Sequence, residues 1–421
     1  MHHDSSASPK SSKLTTYIVI AMIAGILAGY LIHENASPDF IKDFAPKIKL
    51  LATIFLRMVQ MIIAPLVFAT LVVGIAKLGD LKTVGRVGGK AMIWFVSASL
   101  ISLTLGLILV SITKPGVGVN IANADLEGAK DMLGKTKEFS LDKFVEHVFP
   151  RSVIEAMANN EILQLVIFSV FFGVALTGIG VKGEPIIKAL DSLTHVVLKM
   201  VTYVMSLAPV GVFGAMTAVI ALKGLGILNT YAYYIGSFYL GLAVLWIILL
   251  LVGYIILKHR LKVLLKRLSS PMTIAFNTAS SEAVFPKLVE EMERFGCDNK
   301  IVSFTLPLGY SFNLDGSMMY MTFASMFIAQ AYNITSITDH LGTQIAMLLV
   351  FMLTSKGIAG VPRASLVVVL ATGSMFGIPP EGIGLVLAID TFCDMGRSMT
   401  NVLGNALATA AVSKWEGALK M

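Results

Sequence analysis

The chain has 421 residues, 56% of them hydrophobic and only 14% charged, with a formal net charge of +7. Soluble domains carry about 25% charged residues, and no interior of this size hides so much apolar surface, so a water-soluble fold is excluded. The basic residues cluster beside apolar segments without interleaved aromatic residues, which marks them as topology signals and not as a nucleic-acid surface.

In chain order, residues 1–14 read as a polar cytoplasmic tail. Apolar stretches follow at 15–33, 46–77 and 87–113, each long enough for a hydrocarbon core of about 30 Å. The mixed-charge stretch 116–147 reads as an extracellular loop. Further apolar stretches lie at 150–178, 186–222 and 228–257. Basic clusters at Lys77, Lys82, Arg86 and Lys90, and at Lys258, Arg260, Lys262, Lys266 and Arg267, fall on one side if the N-terminus is cytoplasmic. Cys297 and Cys393 form neither a CxxC nor a metal-binding spacing, so neither a disulfide nor a zinc site is expected.

From Ser269 onward the pattern changes. Thr278, Ala279, Ser280 and Ser281 separate two apolar halves too short to cross alone, and residues 354–365 (TSKGIAGVPRAS) do the same further on. Between them, Pro307, Gly309 and Asn313-Leu-Asp-Gly316 interrupt an apolar segment running to about Ala331. Non-helical backbone at membrane depth is tolerated only inside protein or beside a watery cavity, and paired interruptions point to a transporter's substrate site.

The last apolar segment, Ile383 to Val412, carries Asp390, Asp394, Arg397, Asn401 and Asn405. Spacings of four, three, four and four place all five within an arc of about 80° on a helix, with Ser398 at its edge. Ionisable groups at membrane depth face the protein interior and mark a substrate or ion path. The Arg397 guanidinium is a planar fork suited to a carboxylate, and Asp394 suits an ammonium. Together they describe an acidic amino acid. Helix N-termini at the broken tips favour a second carboxylate, and Ser280, Ser281 and Ser317 add hydroxyls.

Over nearly its whole length the sequence resembles the dicarboxylate/amino acid:cation symporter family, the glutamate transporters. The resemblance is carried by NEILQLVIFSVFFG (160–173), TASSEAVFP (278–286), NLDGS (313–317), GIAGVP (357–362) and DMGRSMTNVLGN (394–405), in the family's order. It implies an all-α polytopic membrane protein with eight transmembrane spans, two re-entrant helical hairpins and an elevator motion. By the same resemblance, 15–85 holds scaffold spans one and two, 86–113 transport-domain span three, 114–149 an extracellular loop and 150–222 scaffold spans four and five. Residues 228–421 hold span six, hairpin one, span seven, hairpin two and span eight. The implied assembly is a homotrimer in a bacterial inner membrane, with no cofactor. Ser280, Ser281, Ser317, Val361, Asp394, Arg397, Ser398 and Asn401 are the substrate contacts it implies. Glu282, Gly309, Asn313, Asp315, Asn401 and Asn405 are its coupling positions.

Three departures bear on the coupling ion. Sodium-driven members carry a methionine, an aspartate and span-three hydroxyls where this chain has Leu314, Asn405, and Phe95 with Ala98. Hard cations need oxygen ligands, so proton coupling is expected, with Glu282 as leading carrier and Asp315 and Asp394 as competitors. Residual sodium binding is left to Asn313, Asp315 and Asn401. Lys356 opposes a proton on Glu282 if the two lie close. The first-hairpin arginine of some sodium-driven relatives is Ala279 here, which leaves the counter-charge of Asp394 open.

The expected substrate is thus glutamate or aspartate. The alternative is a C4-dicarboxylate such as succinate or fumarate, against which an unpaired buried Asp394 counts by repelling a dianion. A ligand-gated channel is an alternative of another class. No motif for enzymatic chemistry is present. Arg363, after Pro362, reads as a solvent-facing charge, or else as an attractor of anionic substrate.

Overall fold

The computed structural model describes residues 9–78, 81–119, 148–225, 231–355, 363–387 and 389–420. Regular structure among these is helical, apart from one isolated bridge between Cys297 and Leu419.

One group of helices is built around α2 (Pro38–Leu78). Both α1 (Pro9–Asn35) and α2 pack on α7 (Ala208–Lys223), and α2 also packs on α5 (Ile162–Gly178) and α6 (Glu184–Met205), while the short α4 (Val153–Ala158) leads into α5. The α1–α7 contact depends on Gly25 and Gly29. A Cβ on Gly25 would stand 2.9 Å from the Met216 Cβ, and one on Gly29 2.8 Å from the Ile220 Cβ. This small-xxx-small spacing lets two backbones meet closely without a hydrophobic drive, as membrane helices require.

The second group surrounds α17 (Asp390–Trp415), on which α8 (Ala232–Leu257), α9 (Arg260–Thr278), α11 (Asn299–Phe312) and α12 (Asp315–Ala331) all pack. Trp246 Nε1 donates to Thr400 Oγ1 at 2.9 Å and the Tyr239 hydroxyl to the Phe392 carbonyl at 2.7 Å, fixing α8 on α17. α3 (Leu81–Thr113) lies along α12. α9 turns at Ala279-Ser280-Ser281 into α10 (Phe285–Phe295), forming the first hairpin. The helices at the position expected for the second hairpin are α14 (Leu341–Thr354), after the short α13 (Thr335–Thr338), and α15 (Ala364–Gly373). Its tip at 356–362, with Lys356 and Val361, lies outside the described residues.

The structure departs from the sequence expectation in four places. α2 begins at Pro38, well before residue 46, because the amphipathic turn with stacked Phe40 and Phe44 continues the helix beyond its apolar part. The 150–178 stretch is two helices, parted at Asn159-Asn160, where Asn160 has φ of 53°. The 186–222 stretch is α6 and α7, bent by 48°. The last segment starts with a separate α16 (Ile383–Leu387), and its long helix begins only at Asp390.

Among the described residues, four helices are long and apolar enough to cross a membrane, and a fifth arises if the bent pair is one span. α5, with 17 residues, falls short of that length, and α11–α12 is broken at Asn313-Leu314. Leu240, Ile247, Leu251 and Ile255 of α8 are exposed, which is the lipid-facing pattern of a helix apolar all round. The chain is therefore a multi-pass membrane protein.

Past the end of α17, the Glu416 carboxylate accepts from Arg86 Nη2 at 2.9 Å and Lys90 Nζ at 2.6 Å, tying α17 to the start of α3. The Arg86 hydrogen bonds hold its carboxyl below the ordinary 4.5, against a smaller opposing effect of desolvation. With the folded pKa depressed, this stabilisation is fully present above pH 4.5 and is lost as pH falls through the folded value. Protection of the amides at 414–420, taken relative to their intrinsic exchange rates, is expected to fall in acid. Glu416→Gln should abolish that dependence, and an unchanged profile would show that the clamp carries no weight.

Candidate functional site

The polar stripe of α17 meets the broken α11–α12 segment rung by rung. α11 ends at Phe312, and Asn313 and Leu314 leave helical geometry with ψ of 63° and 65°. Pro307 removes a backbone donor just before the break. The amides that open α12 then need acceptors, as at any helix start. Asn401 supplies one across the interface: its Oδ1 accepts from the Gly316 amide at 2.8 Å and the Ser317 amide at 3.2 Å, while its Nδ2 donates to Ser317 Oγ at 3.1 Å. Gly316 is required there because a Cβ would run into the Arg397 carbonyl.

One rung further along, Arg397 is fully buried. Its Nε donates to Asp394 Oδ1 at 2.5 Å, Nη1 to Ser317 Oγ at 3.1 Å and Nη2 to the Ala279 carbonyl at 3.3 Å. Ala279 holds a left-handed φ of 50°, which turns that carbonyl out of the first hairpin. Asp394 Oδ2 accepts the Arg363 amide of the second hairpin at 2.6 Å. Arg397 and Asp394 thus join both hairpins, α12 and α17 at one point. Ser281 Oγ and Ser398 Oγ are buried nearby in sequence, without a hydrogen-bond partner among the described residues.

This geometry corrects two expectations. Asp394 is not unpaired, because Arg397 is its counter-charge and the Arg363 amide donates to its other oxygen. The repulsion counted against a dianionic substrate is therefore already compensated. Arg363 is not simply a solvent-facing charge either, since its Nε lies 3.6 Å from Asp390 Oδ2.

At the other end of the stripe, Asn313 Nδ2 donates to Asn405 Oδ1 at 3.3 Å, and Asp315 is fully buried. A Cβ on Gly309 would meet Asn405 and would sit 3.6 Å from the Phe95 ring. Phe95, Gly309 and Asn405 therefore converge, and the ring occupies space beside the amide that a hydroxyl ligand would otherwise share. Asn313, Asp315 and Asn405 bring four side-chain oxygens to this end of the stripe, one carboxylate and two amides.

Glu282 opens the 3-10 turn Glu282–Val284 after the first hairpin's tip and is 5% exposed. With Ser280 and Ala283 it borders a cleft of about 20 Å³ against Leu56, Val59, Gln60 and Ile63 of α2. That volume admits about one water molecule. Ser280 Oγ accepts the Ala283 amide at 3.3 Å, and the Tyr310 hydroxyl donates to the Ser281 carbonyl at 3.0 Å. The turn thus has its side-chain cap from Ser280.

Sequence reasoning placed Asp390 on the stripe but missed its partners. Its Oδ1 accepts from the Tyr320 hydroxyl at 2.5 Å. The available signal was the three-residue spacing of Ser317 and Tyr320, which puts both on one face of α12.

The profile of the sodium:dicarboxylate symporter family matches residues 14–415. The chain belongs to that family. The C4-dicarboxylate transport protein of Acinetobacter baylyi is 39% identical over 424 residues, covering 98% of this chain and 93% of the relative. The protein of the same description from Rhizobium johnstonii is 39% identical over 422 residues, covering 99% and 93%. That from Rhodospirillum rubrum is 40% identical over 412 residues, covering 96% and 89%. The symporter is accordingly a transporter and not an enzyme, and the resemblance read from its motifs holds.

Proposed function

We propose that this symporter imports C4-dicarboxylates such as succinate and fumarate with co-transported cations. The observation that carries the reading is Arg397, a buried cation whose three donor nitrogens point to three different elements. A carboxylate entering between the hairpins replaces weak partners, the Ser317 hydroxyl and Ala279 carbonyl, by a charge-assisted fork. Asp394 already has two donors and needs no substrate ammonium. The names of the relatives favour the same class. Import of glutamate or aspartate is the second reading, favoured by Asp394 itself, which a substrate ammonium reaches if the Arg363 amide withdraws.

The motion we propose is an elevator, in which α3 and the α8–α17 region move against α1, α2 and α5–α7 in each subunit of a homotrimer in a bacterial inner membrane. Counterflow in proteoliposomes tests the substrate. Saturable exchange of labelled succinate, inhibited by fumarate, is expected; exchange confined to aspartate and glutamate would select the second reading, and none with any of the four would refute both.

For coupling we propose a proton carried by Glu282, with sodium at Asn313, Asp315 and Asn401 as the alternative. The buried carboxyl faces a cleft at the α2 interface, so sliding of the hairpin along α2 changes its surroundings. Glu282→Gln is expected to retain counterflow while losing accumulation driven by a pH gradient. Accumulation at the parental level in that variant would move the proton elsewhere.

A further inference from the structure

Arg363 stands immediately before α15 with φ of 68°, a left-handed conformation that glycine adopts without strain and that other residues adopt at a cost. Its amide is fixed on Asp394. Its side chain, 49% exposed, lies with Nε 3.6 Å from Asp390 Oδ2, an ion-pair distance beyond hydrogen-bond reach. Asp390 is buried, its other oxygen holds the Tyr320 hydroxyl, and Oδ2 has no hydrogen-bond partner among the described residues. The guanidinium is thus attracted to Asp390 without spending its fork on it.

Resting on the dicarboxylate reading above, we propose that Arg363 is the second substrate-facing cation, exchanging Asp390 for the carboxylate that Arg397 does not take. Its backbone amide lies on Asp394, the carboxylate that Arg397 grips, and its guanidinium lies beside Asp390 one turn before Asp394 on α17. Tyr320 stays hydrogen-bonded to Asp390 when the arginine turns away, so one oxygen of that carboxylate keeps its donor through the exchange. Lys49 of α2 is electrostatically coupled to Arg363, which adds positive potential on the side facing α2. Asp390, Asp394, Arg363 and Arg397 sum to zero formal charge, so a dianion brings a deficit that the co-transported cations balance. Arg363 therefore selects for a second carboxylate, over and above general attraction of anions.

The test measures binding to the purified full-length protein of succinate and aspartate, and of their monoamides succinamate and asparagine. Arg363→Gln should weaken the two-carboxylate ligand that the parent binds at least tenfold while changing its monoamide less than twofold. Arg363→Lys, which keeps the charge but not the fork, should fall between. Asp390→Asn should leave two-carboxylate binding intact or tighten it, since it releases the arginine. Equal losses for ligand and monoamide in Arg363→Gln, or matching losses in Arg363→Gln and Asp390→Asn, would reduce the contact to a structural staple and overturn the inference. A parent that binds none of the four would overturn the proposed function, and this inference with it.

Discussion

Arg397→Cys is expected to abolish transport of two-carboxylate substrates. The substitution removes the guanidinium that converges on Ser317, Ala279 and Asp394, and it strands the Asp394 carboxylate in a fully buried position. Breaking a buried pair by deleting one partner costs about 3–5 kcal/mol, equivalent to about two to three and a half powers of ten in affinity if expressed in binding. Part of that cost falls on folding, so the comparison needs Arg397→Cys with Asp394→Asn, which removes the stranded charge. The double variant should recover thermal stability and still fail to bind succinate or aspartate. The single variant should shift toward neutral amino acids, whose ammonium satisfies Asp394 and which need no second cation. Parental affinity for two-carboxylate substrates in either variant would remove Arg397 from the site.

Asn401→Leu is expected to produce the largest loss of stability among substitutions of uncharged stripe residues. The asparagine accepts both amides at the start of α12 and donates to Ser317 Oγ, all three groups being buried. Each stranded buried donor or acceptor costs about 1–3 kcal/mol, and leucine of similar volume offers no replacement. A fall of several degrees in the midpoint of thermal unfolding should accompany faster amide exchange at Gly316 and Ser317. Asn401→Asp keeps the acceptor where a helix N-terminus favours negative charge and should lose much less. Equal losses in both variants would mean that the residue acts through volume and not through capping.

The stripe itself was legible because spacings of three and four residues determine a helical face whatever surrounds it. The Asn313–Leu314 break was legible because Pro307, Gly309 and Gly316 punctuate an otherwise apolar run. What the face meets was not legible. The amides at the start of α12 that Asn401 caps become visible only with the break in α11–α12, and the Arg363 amide reaches Asp394 only through the fold. The α12 amides and the Arg363 amide come from other segments, and no local periodicity encodes them. The start of α2 was missed for a different reason: hydropathy locates apolar length, whereas Pro38 to Ala45 extends the helix as an amphipathic turn. The substrate preference turned on the same Asp394, whose i,i+3 neighbour Arg397 is visible in sequence and whose bond to the Arg363 amide is not.

Uptake into proteoliposomes under proton and sodium gradients imposed one at a time tests the central claim, that a two-carboxylate substrate is concentrated by a cation gradient. Saturable accumulation of labelled succinate above equilibrium, driven by an inward proton gradient and lost in Arg397→Cys, is the predicted result. A non-saturating flux proportional to concentration, with no accumulation of succinate, fumarate, aspartate or glutamate under either gradient, would contradict it.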